Sequence, residues 1–394
     1  MKKIAFFSTG IPDHTQGGTG IFNYNLIKEL VNKNYSVDVF LRVDKNFLDK
    51  YKKNFQSDDL IKKINSFNLI EQKTNTRNLN FFFNHLKDIY WVEGCKKIVN
   101  NIDNNYDAYI SLDLGWAIAL AERKNVVSIL GDPYCDRIKN SLNWNFNLIN
   151  IFRKLRAIST GNKNVNKKLG IILNGKNRTV CSFSNYHANK FNSENFNCIQ
   201  INGFSNYVPI EEVKKNFFNN ETFTIAHLGD LDTTASRKNL DFLNSSVKLL
   251  SERLKKKIII KFIGRYSKKA VLSTNNVEIV YAGFVKNLNS ELTNCDAVVS
   301  ASDYPVGIRQ RIISALSLGM PCIAHNSVSY GLHQLKQGHD VLYCKNSQEF
   351  VKNVDLLMTD LSLQKKLSKN ARETWDKNFD PNKSIKGILN KVGC

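Results

Sequence analysis

Apolar residues along this chain come in short runs separated by amphipathic stretches. Ile4-Ala5-Phe6-Phe7 opens the series, and a polar loop closing on Gly17-Gly18-Thr19-Gly20 follows it. Phe22, Leu26, Ile27 and Leu30 then recur at helical spacing, and Val37-Asp38-Val39-Phe40-Leu41 reads as the next strand. Ala108-Tyr109-Ile110 and Val126-Val127-Ser128-Ile129-Leu130 carry the alternation on. A second series comprises Phe223 to Leu228, Ile258 to Ile263, Val277 to Val280, Ala297 to Val299 and Pro321 to Ala324, with helix-length segments between most members. Strands alternating with helices predict parallel sheets, hence an α/β chain of two Rossmann-like, doubly wound domains. The pattern places an N-terminal domain at 1–206 and a second at 207–372, divided just after Asn202-Gly203. A helical segment at 373–394 is expected to pack back on the first domain. Open parallel sheets take ligands at the carboxyl ends of their strands, so the two domains are expected to face a central cleft.

Composition narrows the picture. The 394 residues include 56 Lys and Arg against 35 Asp and Glu, a net charge of +21, which favours phosphorylated ligands, polyanions or an anionic membrane surface. The hydrophobic content of 42% is too high for a disordered chain. Eight scattered cysteines lack the close pairing of a zinc site or a redox dithiol and suit reduced cytoplasmic thiols. The apolar run after Met1-Lys2-Lys3 is too short for a signal-peptide core, and no run spans a membrane. The excess charge concentrates at 151–190, with nine basic residues and no acidic one. Trp144, Leu148, Ile151, Leu155 and Ile158 form an apolar stripe just before and within it, fit either for a core or for the inner face of an anionic membrane. No helix-turn-helix, zinc or RNA-binding signature accompanies the charge, and no nucleic-acid partner is expected.

Four places could carry chemistry. Gly17-Gly18-Thr19-Gly20 lies between a strand and a helix, where backbone amides can approach a phosphate or sugar, but its spacing is not that of a dinucleotide site. His14 and Thr19 in the same segment could face an acceptor. After Phe223 to Leu228 come Gly229-Asp230-Leu231-Asp232 and then Arg237-Lys238-Asn239, cations that could hold a diphosphate. Asp230 and Asp232 could pair on a divalent metal, although no essential metal or cofactor is expected. Gly307, Ile308, Arg309 and Arg311 open a helix whose amides and arginines form a diphosphate cradle. Asp13, Asp113 and Asp132 are the carboxylates to consider for activating an acceptor hydroxyl.

The order of Gly17-Gly18, Asp113, Ser184, Asn202-Gly203, Gly229, Lys238-Asn239, Gly264, Gly283-Phe284-Val285 and Gly319-x-Pro321 resembles the GT-B nucleotide-sugar glycosyltransferases. The chain is most similar to their retaining family-four group of bacterial polysaccharide and glycolipid enzymes. The resemblance implies that Gly17 and Gly18 border the donor phosphates and acceptor, that Lys238 holds the diphosphate, and that the backbone of Gly283, Phe284 and Val285 binds the base. The family's arginine after the first glycine of the second domain is replaced by Asp230, so Arg237 would substitute. Its two glutamates fall at Val306 and Ser314, where both carboxylates are gone, and Ser314 retains a hydroxyl for a sugar or ribose. A variant branch instead resembles Gly307-Ile308-Arg309-Gln310-Arg311. A sugar-contacting histidine of many relatives falls at Gly131, beside Asp132.

The resemblance implies a glycosyltransferase that moves a sugar from a nucleotide-diphosphate donor to a glycan or polyprenyl-linked glycan in surface polysaccharide biosynthesis. Retention at the anomeric carbon is implied by the family and left open by Val306 and Ser314. A sugar-nucleotide epimerase on the same fold, or a non-catalytic nucleotide- or glycan-binding relative, are the alternatives.

Overall fold

The computed structural model describes residues 1–13, 17–43, 59–71, 87–103, 105–131, 170–175, 177–214, 217, 221–231, 234–266, 271, 273–301 and 307–391. Two compact units divide the chain. One comprises Met1–Ile201 with Asn382–Cys394, and the other Asn202–Pro381.

In the first unit β1 (Lys3–Ser8), β2 (Ser36–Val43), β3 (Ser66–Glu71), β4 (Ala108–Leu112), β5 (Val126–Leu130), β6 (Arg178–Ser182) and β7 (Cys198–Gln200) form a sheet in the order β3-β2-β1-β4-β5-β6-β7. Every pairing in it is parallel, with Ile4 opposite Val37 on one side and Ala108 on the other. The central strands are buried on both faces, which is why they read as unbroken apolar runs rather than alternating ones. The helix Gly17–Asn32 turns Phe22, Leu26, Ile27 and Leu30 into the core. The helix Pro381–Lys391 buries Ile385, Ile388 and Leu389 on one side and leaves its lysines exposed.

In the second unit β8 (Thr222–Leu228), β9 (Lys257–Ile263), β10 (Val277–Gly283), β11 (Ala297–Ser300), β12 (Cys322–His325) and β13 (Leu342–Cys344) form a parallel sheet in the order β10-β9-β8-β11-β12-β13. One face carries Phe223, Ile225, Ile260, Phe262 and Val299 against Leu243 and Val247. The other carries Ala226, Leu228, Val298 and Cys322 against Ile312, Leu316 and Trp375. In both sheets the first strand lies between strands reached in opposite directions, β2 and β4 for β1, β9 and β11 for β8. A doubly wound sheet opens its ligand crevice at that reversal, beyond the carboxyl ends of the strands.

The glycine segment is placed differently from the sequence expectation: the helix begins at Gly17, so Gly17 to Gly20 form its first turn rather than a loop. The first amides of a helix lack intrahelical partners, and small residues leave them accessible. The apolar stripe from Trp144 to Ile158 lies outside the described residues. Of the basic residues around it, Arg178 is bound into the fold, donating from Nε to the Arg123 carbonyl at 3.1 Å and from Nη1 to that of Ile172 at 2.9 Å. The six described cysteines are free and buried, and burial pushes the Cys95, Cys181, Cys198 and Cys344 thiols up to about 12. They are unreactive core residues.

Candidate functional site

The second unit builds a crevice floor from glycine. Gly229 (φ +122°), Gly264 (φ +133°) and Gly283 (φ +68°) stand at the carboxyl ends of the neighbouring strands β8, β9 and β10, all in backbone conformations that favour glycine. The Gly229 amide donates to the Ile263 carbonyl at 2.9 Å and the Gly264 amide to that of Gly283 at 2.8 Å. A Cβ on Gly264 would lie 2.3 Å from the Gly229 oxygen, so the first two turns touch backbone to backbone.

Over this floor comes the arginine segment. Gly307 (φ +72°) packs its carbonyl where a Cβ on Gly331 would stand, at 2.3 Å, and the Ile308 side chain fills the space beside Gly203. Gln310 donates to the Phe204 carbonyl at 2.9 Å. Gly203, noted in the sequence for its place in a series, therefore serves by lacking a side chain. The helix Gln310–Ser317 follows, with Arg309 at its N-cap position. Arg311 turns back so that Nη2 would lie 3.0 Å from a Cβ on Gly229, while Nη1 stands 2.8 Å from Nε2 of His227, the penultimate residue of β8.

The electrostatics of this group are unusual. His227 is fully buried, and burial together with the Arg311 charge holds its imidazole well below the ordinary histidine range. Arg311 is partly buried, and burial pulls its guanidinium down to about 10, with Arg309 adding repulsion. It remains a cation at neutral pH. Among the described residues no carboxylate forms an ion pair with it. A partly buried cation beside a second cation, with no described carboxylate paired to it, has the electrostatics that favour an anion. At the end of β11, beside β8 in the sheet, the buried Ser300 Oγ has no hydrogen-bond partner among the described residues.

The other expected residues fall as follows. Ser314 lies one turn along the Arg311 helix and is partly exposed. Phe284 is 76% exposed beside the open Gly283, and Val285 is partly buried against the core. Arg237 and Lys238 are in the helix Thr234–Arg253, but their side chains lie outside the described set. Asp232 and Val306 are also outside it. Asp230 pairs with Arg265 at 2.7 Å, so the carboxylate of the Asp-x-Asp pair is engaged by a cation. His325, the last residue of β12, accepts from the Ser327 amide at 3.2 Å and lies nearly perpendicular to the Phe242 ring, with centroids 6.3 Å apart.

In the first unit, Ser8 Oγ at the end of β1 accepts from the Gly10 amide at 3.0 Å and from Asn23 Nδ2 at 2.8 Å. Asn23 also donates to the Gly10 carbonyl, and the Asp13 amide donates to the Gly20 carbonyl at 3.2 Å, tying the segment after β1 to the helix start. Thr19 packs its methyl against Gly10, and Gly18 is partly buried. His14 and Asp132 lie outside the described residues. Asp113 directly follows β4 and holds φ 141°, a strained conformation for a residue with a Cβ. Its Oδ1 accepts from the Trp116 amide at 3.0 Å as a helix cap. Burial pushes its carboxyl up, against hydrogen bonds from the Trp116 amide, Thr9 and the Gly115 amide and the charge of Arg42.

Sequence reasoning passed over His227, Ser300, Asn23 and Arg265. His227 had a visible signal, a titratable ring in an apolar strand two residues before Gly229. The others sit in positions whose meaning comes from neighbours distant in the chain.

Two α/β units with all-parallel doubly wound sheets match the GT-B class of fold. Residues 210–374 match the family model described as glycosyl transferases group 1, so the chain carries a glycosyl transferases group 1 domain and is a glycosyltransferase. Solved structures share the fold over the full chain. HepE from Anabaena, in complex with UDP, is 14% identical with TM-score 0.65 and complete coverage of both chains. Sucrose-phosphate synthase from Thermosynechococcus elongatus is 14% identical with TM-score 0.68, covering 99% of this chain and 98% of its own. TarM is 15% identical with TM-score 0.66, covering 100% and 99%. No curated protein matches the chain.

Proposed function

We propose that the protein transfers a sugar from a nucleotide-diphosphate sugar to a hydroxyl of a glycan or polyprenyl-linked glycan, in the building of a bacterial surface polysaccharide. The observation that carries this reading is Arg311: a desolvated guanidinium, unpaired with any described carboxylate, set across the Gly229 turn where a doubly wound sheet opens. A diphosphate supplies the charge that this group lacks, and the close backbone turns at Gly229 and Gly264 let it approach. HepE has been solved with UDP and with UDP-glucose, which supports a uridine nucleotide as the first donor to try.

In the proposed reaction the bond between the sugar C1 and the donor oxygen breaks, and its electron pair leaves on the diphosphate. The acceptor oxygen bonds to C1, and its proton passes to a base. Arg309, Arg311 and Lys238 would stabilise the departing charge, with Arg237 beside them. Gly17 and Gly18 would border the phosphates, Gly283, Phe284 and Val285 the base, and Ser314 a sugar or ribose hydroxyl. Asp13 and Asp132 are the proposed acceptor-side carboxylates, with His14 and Thr19 near the acceptor. Asp113 is the less available of the three carboxylates because its Oδ1 is engaged in capping a helix. The family resemblance supports retention at C1. The charge of +21 supports an anionic membrane surface as the workplace on the cytoplasmic side. Among the described residues no helix is long and apolar enough to cross a membrane.

The test is calorimetric titration of the full chain with UDP, GDP, ADP, dTDP and their glucose conjugates, with and without EDTA. Binding of one nucleotide family, weakened at least about tenfold by Arg311→Ala, is the expected result. Wild-type protein that binds none of them overturns the reading.

A further inference from the structure

We propose that His227 is a positioning residue for the donor site: its buried imidazole accepts from Arg311 and aims the guanidinium across Gly229. The inference rests on the donor reading above and deepens it.

An arginine only donates, so the 2.8 Å contact between Nη1 and Nε2 requires Nε2 to be the acceptor. The proton of the neutral ring is therefore on Nδ1. The ring is itself held firmly, fully buried and tilted against Phe262 with centroids 5.4 Å apart. Its strand is paired on both sides, with Ile225 opposite Ile260 on β9 and His227 opposite Val299 on β11. A long flexible side chain thus ends on a fixed acceptor at the strand terminus.

The chemical identity of that acceptor matters. A carboxylate at the same place would hold Arg311 equally well but would neutralise it and compete with an incoming diphosphate. A neutral imidazole fixes the guanidinium and leaves its whole charge for the ligand. Burial supports this division, because it disfavours the imidazolium that would repel Arg311. Nη2 stays on the crevice side, over a residue whose missing Cβ makes room for it.

The experiment uses the full chain and titrates UDP, GDP, ADP and dTDP into wild type, His227→Phe, His227→Gln, Arg311→Ala and the His227→Phe/Arg311→Ala double variant. Phenylalanine keeps most of the ring volume and loses the acceptor, whereas glutamine can return an acceptor near the Nε2 position. The expected result is about a tenfold loss of affinity in His227→Phe and recovery to within about threefold of wild type in His227→Gln. The double variant should bind no worse than Arg311→Ala, because His227 acts through Arg311. Nitrogen NMR of the wild-type histidines, assigned by difference with His227→Gln, should show the Nδ1–H tautomer and an Nε2 signal that moves in Arg311→Ala. This readout does not depend on His227→Phe folding.

His227→Phe with wild-type affinity, an additive double variant, or an Nε2–H tautomer overturns the positioning role while leaving the donor reading in place. Arg311→Ala with wild-type affinity, or wild type that binds no nucleotide, overturns the donor reading and the inference with it.

Discussion

At Gly229 a positive φ and a close neighbour act together. A methyl group there would strain the backbone at φ +122° and stand 3.0 Å from Arg311 Nη2. Gly229→Ala is therefore expected to cost about 1–3 kcal/mol of stability and to weaken nucleotide binding more than the stability loss explains. Denaturant unfolding beside calorimetry separates the two effects. His227 makes a second prediction. Its folded-state pKa lies below the ordinary value of 6.5, so the stability from keeping it neutral is complete above pH 6.5 and is lost as pH falls toward the folded value. Arg311, Asn239 and Phe262 are the groups around the ring. Unfolding free energies from urea titrations between pH 7.5 and 4.5 should fall less steeply in His227→Gln than in wild type, by up to about 1.4 kcal/mol per pH unit. Parallel slopes would show that His227 gains its proton without cost. The composition of these residues was legible in the sequence. Their roles were not, because Gly229, His227 and Arg311 meet only when two distant segments are brought together.

The helix Gln310–Ser317 shows how an element holds such a residue. Ile312, Ile313, Ala315 and Leu316 are buried, and this side fixes the helix against the sheet. Its end is closed by Gly319 at φ +62°, with the Met320 amide donating to the Ala315 carbonyl at 3.0 Å and the Gly319 amide to that of Leu316 at 3.0 Å. A second helix, Leu361–Asn378, then clamps it. Arg372 donates from Nη1 to the Ser317 carbonyl at 2.6 Å, stacks over Trp375 and pairs with Asp376. Trp375 is fully buried, with Nε1 donating to Ser205 Oγ at 2.9 Å. Arg372→Ala should destabilise by about 1–3 kcal/mol, since it removes a charged donor from a buried carbonyl. Trp375→Ala should cost about 3–5 kcal/mol. Thermal melts check both, and equal melting points would show that the clamp is unnecessary. The apolar stripe and the Gly-x-Pro stop of the first helix are visible in the sequence. Arg372 is invisible as a clamp because its partner is 55 residues away.

Over the whole molecule, charge is the property that sequence and structure express most differently. The excess of +21 supports docking on an anionic surface, and such attraction is screened by salt. Co-sedimentation should capture the protein on vesicles containing phosphatidylglycerol at low ionic strength, release it in about 0.5 M salt, and leave it free of purely zwitterionic vesicles. Capture by neutral vesicles, or none by anionic ones, would remove the membrane surface from the proposed function. Yet not every cation is available for this purpose. Arg178 satisfies backbone carbonyls, and Lys214 is buried with Nζ donating to the carbonyls of Thr293 and Cys295.

The fold class was legible because strands buried on both faces must be continuously apolar and the crossover helices between them amphipathic. β3, with Asn68 and Glu71, β6, with Arg178 and Thr179, and the three-residue β7 and β13 escaped that reading, since mixed or very short segments carry little periodic signal. By itself the sequence determined that this chain is built from parallel α/β sheets, where their strand-end glycines fall and that arginines follow one of them, because these features follow from local spacing. Tertiary structure alone decided which arginine is desolvated, that a neutral histidine aims it, and that Asp230 is engaged by Arg265, because dielectric and partnership depend on residues that only folding makes neighbours.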